Sequence, residues 1–149
     1  MMHTNRIDWR NNPKRSSIIP IPARLASVPI VYAYPGASPD FLDGFFGKHE
    51  GLVVVSYGSG NVSESMYFAV KKAVENGLKV VLTTNCKYGG VFSEYGGIGG
   101  NQSLKDLGVI ITDDLGPYHA MIVATLLFAN QNVSKEVNQQ IYFSNKIMF

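Results

Sequence analysis

The chain has 149 residues, of which 46% are hydrophobic and 16% are charged, and its formal net charge at pH 7 is +2. This length and composition indicate one globular domain with a buried core and exclude a disordered chain. The small net charge does not support binding to nucleic acid, and no apolar run is long enough for a membrane-spanning helix. We therefore expect neither nucleic acid nor a membrane as a partner.

Residues 1–27 differ in composition from the rest of the chain. They carry several basic side chains, followed by closely spaced prolines, and contain no apolar stretch of the kind found in signal peptides. This pattern predicts an extended arm or linker, most simply a solvated tail, ahead of a domain over residues 28–149. Cys86 is the single cysteine, which excludes an internal disulfide and is typical of a reducing compartment, so a cytoplasmic location is expected. The three histidines are too scattered for a metal site, and we expect no metal and no cofactor.

Short apolar runs alternate with helical patterns from residue 29 onward. The apolar runs predict four strands, over residues 30–34, 52–55, 79–84 and 109–112. A strand–helix alternation of this kind predicts an α/β fold of three layers, Rossmann-like or flavodoxin-like, with about four parallel strands and flanking helices. In such sheets ligands bind outside the carboxyl ends of the strands. The sequence therefore places function at residues 34–36, 57–61, 83–87 and 112–114.

Helix-start signals follow the first two strands. Ser38 is a predicted N-cap with Pro39 at the first helical position, and the apolar face of that helix would consist of Phe41, Leu42, Phe45 and Phe46. A second helix is predicted over residues 62–76, with Asn61 as N-cap and Glu64 as the partner of a capping-box-like pair.

The second half of the chain predicts three further helices. A short one is expected over residues 103–107 and a strong one over residues 118–130, and another is expected from Ser134. Asp113 and Asp114 precede the strong helix and are expected to cap it.

The turn between the second strand and its helix, SYGSGN, has two interpretations. Gly58 and Gly60 permit backbone angles that other residues avoid, so the segment could be a well-capped strand-to-helix turn and nothing more. Its position at a strand end, where function concentrates, equally favours a ligand contact through Ser59, Gly60 and Asn61. A phosphate site is disfavoured because the third glycine of the dinucleotide pattern and the Walker lysine are missing.

The second candidate segment is the long glycine-rich stretch over residues 85–102. Lys87 could lower the pKa of the neighbouring Cys86, but no histidine is placed to act as a base, so a small buried side chain is the favoured interpretation of this cysteine. Glu94 is the only carboxylate of the stretch. No nucleophile with a base and an orienting group can be assembled, and the residues alone indicate a ligand-binding sheet edge without its own catalytic machinery.

Four segments in order resemble the C-terminal domain of bacterial-type L-asparaginases. They read IVYAYPGASPDFLDGFF, LVVVSYGSGNVSESM, KVVLTTNCKYGGV and GVIITDDLGPYHAMIVATLLFA, and His3-Thr4 is similar to the interdomain linker of that family. Enzymes of the family hydrolyse asparagine, and often glutamine, and their larger N-terminal domain carries the catalytic threonines. No T-G-G-T-I segment occurs in these residues. The resemblance therefore implies a second domain without its catalytic partner, from a fragment, a truncated reading frame or a split protein.

The resemblance also implies roles for particular residues. Asn61 matches the asparagine that contacts the amino end of the substrate in a neighbouring subunit of the periplasmic type, and Glu94 is the candidate for the glutamate that acts with it. In the cytoplasmic type the same turn and the loop of Cys86 can line an effector site for asparagine. The segment Gly116-Pro117-Tyr118-His119-Ala120 departs from the N-P-x-K-A of the periplasmic type.

Three hypotheses for function follow. The first is a domain that completes an active or effector site for asparagine or aspartate, inactive alone, in a homo-oligomer or with a separate N-terminal catalytic domain. The second is a non-enzymatic module of the same fold that binds a small amino acid or dimerises through exposed helix faces. The third is a flavodoxin-like nucleotide binder.

Overall fold

The computed structural model describes residue 19, residues 21–92 and residues 95–130. Most of the predicted arm, residue Glu94 and the helix expected from Ser134 lie outside the described residues. The described elements are β1 (Ile30–Tyr32), β2 (Gly51–Ser56), α1 (Glu64–Glu75), β3 (Lys79–Thr84), α2 (Asn101–Asp106), β4 (Ile110–Ile111) and α3 (Pro117–Ala129), with a 3₁₀ turn at Asp43–Phe45. None of the helices in this part of the chain is both long and apolar enough to cross a membrane.

The four strands form one parallel sheet in the order β1-β2-β3-β4. Val53 of β2 pairs with Ile30 on one side and with Val81 on the other. Strands β2 and β3 are central and almost entirely buried, as unbroken apolar runs require in a sheet covered on both faces. The predicted α/β fold with about four parallel strands is confirmed, and all four carboxyl ends lie at one edge.

The two faces of the sheet are covered by different helices. Side chains alternate between faces along a strand, so Val54 lies in a cluster with Met66 and Val70 of α1, whereas Val53 lies in a cluster with Ala124 of α3. The predicted apolar stripe of α1 is buried at Met66, Ala69, Val70 and Ala73. This arrangement gives the three expected layers.

The prediction of an α-helix from Ser38 is wrong, because the segment between β1 and β2 contains a 3₁₀ turn and no α-helix. Backbone hydrogen bonds in this segment connect residues three apart, from Phe41 to Ser38 and from Phe45 to Leu42, which is 3₁₀ and turn geometry. Gly44 and Gly47 lower helix propensity here, and Gly47 adopts a φ of 70° that ends the segment. Leu42 is still fully buried, so the apolar face anchors the segment without a helix.

Residues 24–27, at the end of the predicted arm, are anchored to the domain, although Ile21 and Leu25 are exposed. Ala26 is buried, and its N–H donates to the carbonyl oxygen of Thr125 in α3 at 3.2 Å. The Glu50 carboxylate accepts hydrogen bonds of 2.6 Å from the Arg24 guanidinium and from the Ser27 N–H. Residues 24–27 therefore lie along the amino-terminal edge of the sheet, opposite the edge where function is expected.

Candidate functional site

The buried polar side chains of the described residues gather at the carboxyl edge of the sheet. They are Ser56, Thr83, Thr84, Asn101 and Thr112. Burying a polar group without a hydrogen bond is costly, and each of these side chains makes at least one. The carboxyl edge of the sheet is therefore a set of buried, hydrogen-bonded polar side chains that adjoins the apolar core.

Hydroxyl groups connect the strand ends to one another. Ser56 donates to the carbonyl oxygen of Thr83 at 2.6 Å, and Thr83 donates to the carbonyl oxygen of Leu115 at 2.5 Å. Thr112, after β4, donates to the carbonyl oxygen of Leu82 at 3.1 Å. Thr83 and Thr112 fall within the strand ends at which the sequence places function, whereas Ser56 does not, and the sequence analysis assigned no role to any of the three hydroxyls.

The SYGSGN segment is a closed turn. Tyr57 and Asn61 exchange backbone hydrogen bonds of 2.8 and 3.0 Å, and Gly60 donates to the same Tyr57 carbonyl oxygen at 3.0 Å. Gly60 has a φ of 117°, and a Cβ atom there would overlap the Val91 side chain. Glycine is therefore required at residue 60 both by the backbone conformation and by the packing of the following loop.

Asn61 is not the N-cap of α1, and that prediction is wrong. The cap is Ser63, whose Oγ accepts from the Met66 N–H at 3.3 Å. The backbone of Asn61 is held by its bridge to Tyr57, so the helix begins two residues later. The Asn61 side chain is half-buried and makes no hydrogen bond to any described residue. Its amide is thus available to a ligand.

Cys86 is exposed, so the favoured interpretation of it as a small buried side chain is wrong. The Cys86 N–H donates to Thr84 Oγ1 at 3.2 Å, and Thr84 Oγ1 donates to the Gly58 carbonyl oxygen at 2.6 Å. One hydroxyl therefore joins the start of the Cys86 loop to the SYGSGN turn. The structure brings these two predicted segments together at the sheet edge.

The loop after β3 closes onto the same turn. The Ser59 carbonyl oxygen accepts from the Phe92 N–H at 3.2 Å and from the buried Asn101 side chain at 3.0 Å. Val91 is buried, and its N–H donates to the Asp113 carbonyl oxygen at 2.7 Å. The outer surface of this loop carries exposed apolar side chains, namely Tyr88, Phe92, Tyr95 and Ile98.

The remaining predicted residues fall into separate places. The N-cap of α3 is Gly116, so neither Asp113 nor Asp114 is the capping residue. Gly116 is followed by Pro117 at the first helical position, where its missing N–H is not needed. His119 is exposed on the first turn of α3.

The buried polar groups of this edge are neutral, whereas the ionisable side chains of Lys87, Asp113 and Asp114 follow β3 and β4 nearer the surface. Hydroxyls, backbone amides and the Asn61 amide surround the turn, and burial raises the pKa of the Tyr57 phenol, which stays protonated at neutral pH. Within the described ranges no three His, Cys, Asp or Glu side chains gather in a way that could hold a metal ion. Such an edge can orient a polar ligand by donating and accepting hydrogen bonds.

The fold and the polar turn define a parallel α/β domain with buried polar groups at the carboxyl edge of its sheet. The chain belongs to the glutaminase/asparaginase C-terminal domain family, which it matches over residues 27–141. The resemblance noted in the sequence is thereby confirmed at the level of the family.

Two similar curated proteins are both the D subunit of a glutamyl-tRNA(Gln) amidotransferase. The Methanopyrus kandleri protein is 31% identical over 113 residues, covering 75% of this chain and 24% of that protein. The Thermococcus kodakarensis protein is 30% identical over 115 residues, covering 76% of this chain and 26% of that protein. The chain thus spans about a quarter of the length of these relatives. Their names do not support the bacterial L-asparaginase type in particular.

A solved structure shares the fold. The thermostable L-asparaginase from Thermococcus kodakarensis superposes with a TM-score of 0.64 at 22% identity, covering 80% of this chain and 36% of that chain. At this identity the likeness concerns the fold alone. It supports the order of strands and helices described above.

Proposed function

We propose that this chain is the ligand-orienting domain of an amide hydrolase that converts L-asparagine to L-aspartate and ammonia. The nucleophile would come from another domain: a threonine hydroxyl attacks the side-chain amide, ammonia leaves, and water then releases aspartate. In this scheme the present chain contributes orientation and no covalent step. Membership of the glutaminase/asparaginase C-terminal domain family and the name of a similar protein, an amidotransferase subunit, support the reaction class.

The single observation that carries the proposal is the Asn61 amide. It stands half-buried on a turn closed by the Tyr57 bridge, and it has no hydrogen-bond partner among the described residues. Because the Asn61 side chain is only half-buried, water can satisfy its amide in the free chain, and a polar ligand can replace that water. The Asn61 Oδ1 atom can accept from the α-ammonium group of an amino acid, and a turn fixed on both sides holds it at low entropic cost.

An effector site for asparagine is the regulatory form of the same proposal. The Thr84 hydroxyl connects the Cys86 loop to the SYGSGN turn by hydrogen bonds. A ligand bound at Asn61 would therefore be linked to Cys86 through Thr84. Ser59 and Gly60 would supply the backbone of the site in either form. Glu94 stays a proposed contributor whose position lies outside the described residues.

Two measurements on the 149-residue chain test the proposal. We expect NMR titration with L-asparagine to shift the amide resonances of residues 58–61, with weak affinity because the rest of the site belongs to another domain. We expect no sustained ammonia release from asparagine. Robust ammonia release that survives both Asn61→Ala and Cys86→Ala would overturn the proposal, as would the absence of any shift at residues 58–61 up to saturating ligand.

A second candidate function is a module that dimerises through α3. Thirteen residues, Pro117–Ala129, contain no Asp, Glu, Lys or Arg, yet Tyr118 and Ile122 are 70% and 52% exposed one helical turn apart. A helix that is apolar on all sides is normally covered. Sedimentation of the wild-type chain should then show a dimer that Ile122→Lys dissociates and Lys71→Glu, on the exposed side of α1, does not. A monomer at all concentrations excludes this function.

A further inference from the structure

Asn101 is the first residue of α2, and its side chain is completely buried. Its Nδ2 donates to the carbonyl oxygens of Ser59, at 3.0 Å, and of Phe92, and its Oδ1 accepts from the Tyr95 N–H at 3.2 Å. One side-chain amide thus joins three backbone segments. Two of them belong to the loop after β3, and the third is the turn that ends at Asn61.

The Asn101 side chain contacts the SYGSGN turn at Ser59 and Gly60. A Cβ atom at Gly60 would lie 3.2 Å from the Asn101 Cβ and 3.4 Å from its Nδ2, so the Asn101 side chain packs directly against the Gly60 backbone. The Ser59 carbonyl oxygen accepts from the Phe92 N–H as well as from Asn101. The loop at Phe92 and the Asn101 side chain therefore share one acceptor in the turn, the Ser59 carbonyl oxygen, two residues before Asn61.

An asparagine suits this place because it is both donor and acceptor. Two carbonyl oxygens face Nδ2 and one N–H faces Oδ1, so the side chain satisfies three backbone groups that burial would otherwise leave unpaired. Aspartate has the same shape but offers no N–H. It would set a carboxylate against two carbonyl oxygens in a buried site.

We propose that Asn101 is a positioning residue: it holds the Asn61 turn and the loop at Phe92 and Tyr95 as one unit, and this unit determines the affinity for the ligand. The inference rests on the proposed function for the identity of the ligand. The hydrogen bonds of Asn101 between the turn and the loop are present without a ligand, so this part of the inference is independent of the proposed function. Asn101 acts through Asn61 and has no contact with the ligand itself.

The test compares Asn101→Asp and the smaller Asn101→Ser with the wild-type chain. With L-asparagine as probe we expect the dissociation constant to rise on the order of 10-fold or more in both, since one or two buried hydrogen bonds are lost. In the free chain the Gly60 and Asn61 N–H groups should exchange with solvent on the order of 10-fold faster, whereas the Leu82 N–H in β3 should change only with global stability.

Ala124→Gly, in α3 on the far face of the sheet, controls for lost stability. It should lower the melting temperature without changing the dissociation constant or the exchange at Gly60 and Asn61 beyond the global effect. Unchanged affinity and exchange in Asn101→Asp, or equal effects of Ala124→Gly, would overturn the inference. If the wild-type chain bound no asparagine, the proposed function would fail, and hydrogen exchange at Gly60 and Asn61 would still decide whether Asn101 holds the turn.

Discussion

The Thr84 hydroxyl donates a hydrogen bond of 2.6 Å to the carbonyl oxygen of Gly58, which joins the end of β3 to the turn after β2. The same oxygen atom of Thr84 accepts from the Cys86 N–H at 3.2 Å. The two loops at the carboxyl edge are therefore connected through one nearly buried side chain. This connection makes the edge a single structural unit rather than two adjacent loops.

Replacing Thr84 by valine tests that connection. Valine has the same shape but cannot donate to Gly58 or accept from Cys86, so we expect the free energy of unfolding to fall by about 1 to 2 kcal/mol. Urea denaturation measures the change. Thr125→Val is the matched control, because the half-buried Thr125 hydroxyl reaches only the Met121 sulfur, at 3.8 Å. A loss in Thr84→Val no larger than in the control would contradict this account of the edge.

Replacing Gly60 by alanine tests the packing of the turn. The backbone φ of 117° is unfavourable for alanine, and its Cβ would overlap the Val91 side chain. We expect a loss of about 2 to 4 kcal/mol in the free energy of unfolding. Gly44→Ala is the control, since Gly44 has no positive φ and a Cβ there meets open space. Thermal unfolding that shows equal stability for the two variants would rule out a strained turn.

Glu50 gives a stability contribution that depends on pH. The Ser27 N–H and the Arg24 guanidinium lower the pKa of the Glu50 carboxyl below its ordinary value of 4.5. A lowered pKa in the folded state means that the ionised carboxylate stabilises the fold above the unfolded-state pKa. That contribution is lost as the pH falls through the folded-state pKa.

The variant Glu50→Gln isolates this contribution. We expect it to be less stable than the wild-type chain at pH 7, and we expect the difference to shrink as the pH is lowered below about 4.5. Chemical denaturation at a series of pH values measures it. Glu75→Gln is the control. Glu75 is exposed, and its ion pair with Lys71 is long, at 3.9 Å, and lies on the helix surface, where such pairs contribute little to stability. A difference that grew towards acid pH would have the wrong sign for this account.

The sequence predicted the fold because its strongest signals are local and periodic. The buried stripe of α1 and the apolar runs of β2 and β3 depend on side-chain spacing alone, and the predicted third strand has the bounds of β3. The segment after Ser38 misled because its apolar residues suit a helix, whereas Gly44 and Gly47 favour a tighter turn.

The site was predicted only in outline. The strand-end rule placed Asn61 and Cys86 at the same edge of the sheet, and the structure does so too, because that rule depends on topology. The sequence analysis chose Asn61 over Ser63 as the N-cap of α1, because asparagine and serine are equally good capping residues. The backbone bridge between Asn61 and Tyr57 leaves Ser63 as the cap. Asn101 was out of reach, because its partners Ser59, Phe92 and Tyr95 are joined by tertiary contacts that no local pattern shows.

In the proposed function, the Asn61 amide binds the amino end of an amino-acid ligand. The most direct test is NMR titration of the wild-type chain and Asn61→Ala with L-asparagine and with succinamate, which lacks the α-amino group. Because the Asn61 side chain has no partner among the described residues, the variant should keep its stability within about 0.5 kcal/mol. We predict binding of L-asparagine by the wild-type chain at residues 58–61, much weaker binding of succinamate, and equally weak binding of both by Asn61→Ala. Equal affinity of wild type and Asn61→Ala for L-asparagine would contradict the claim.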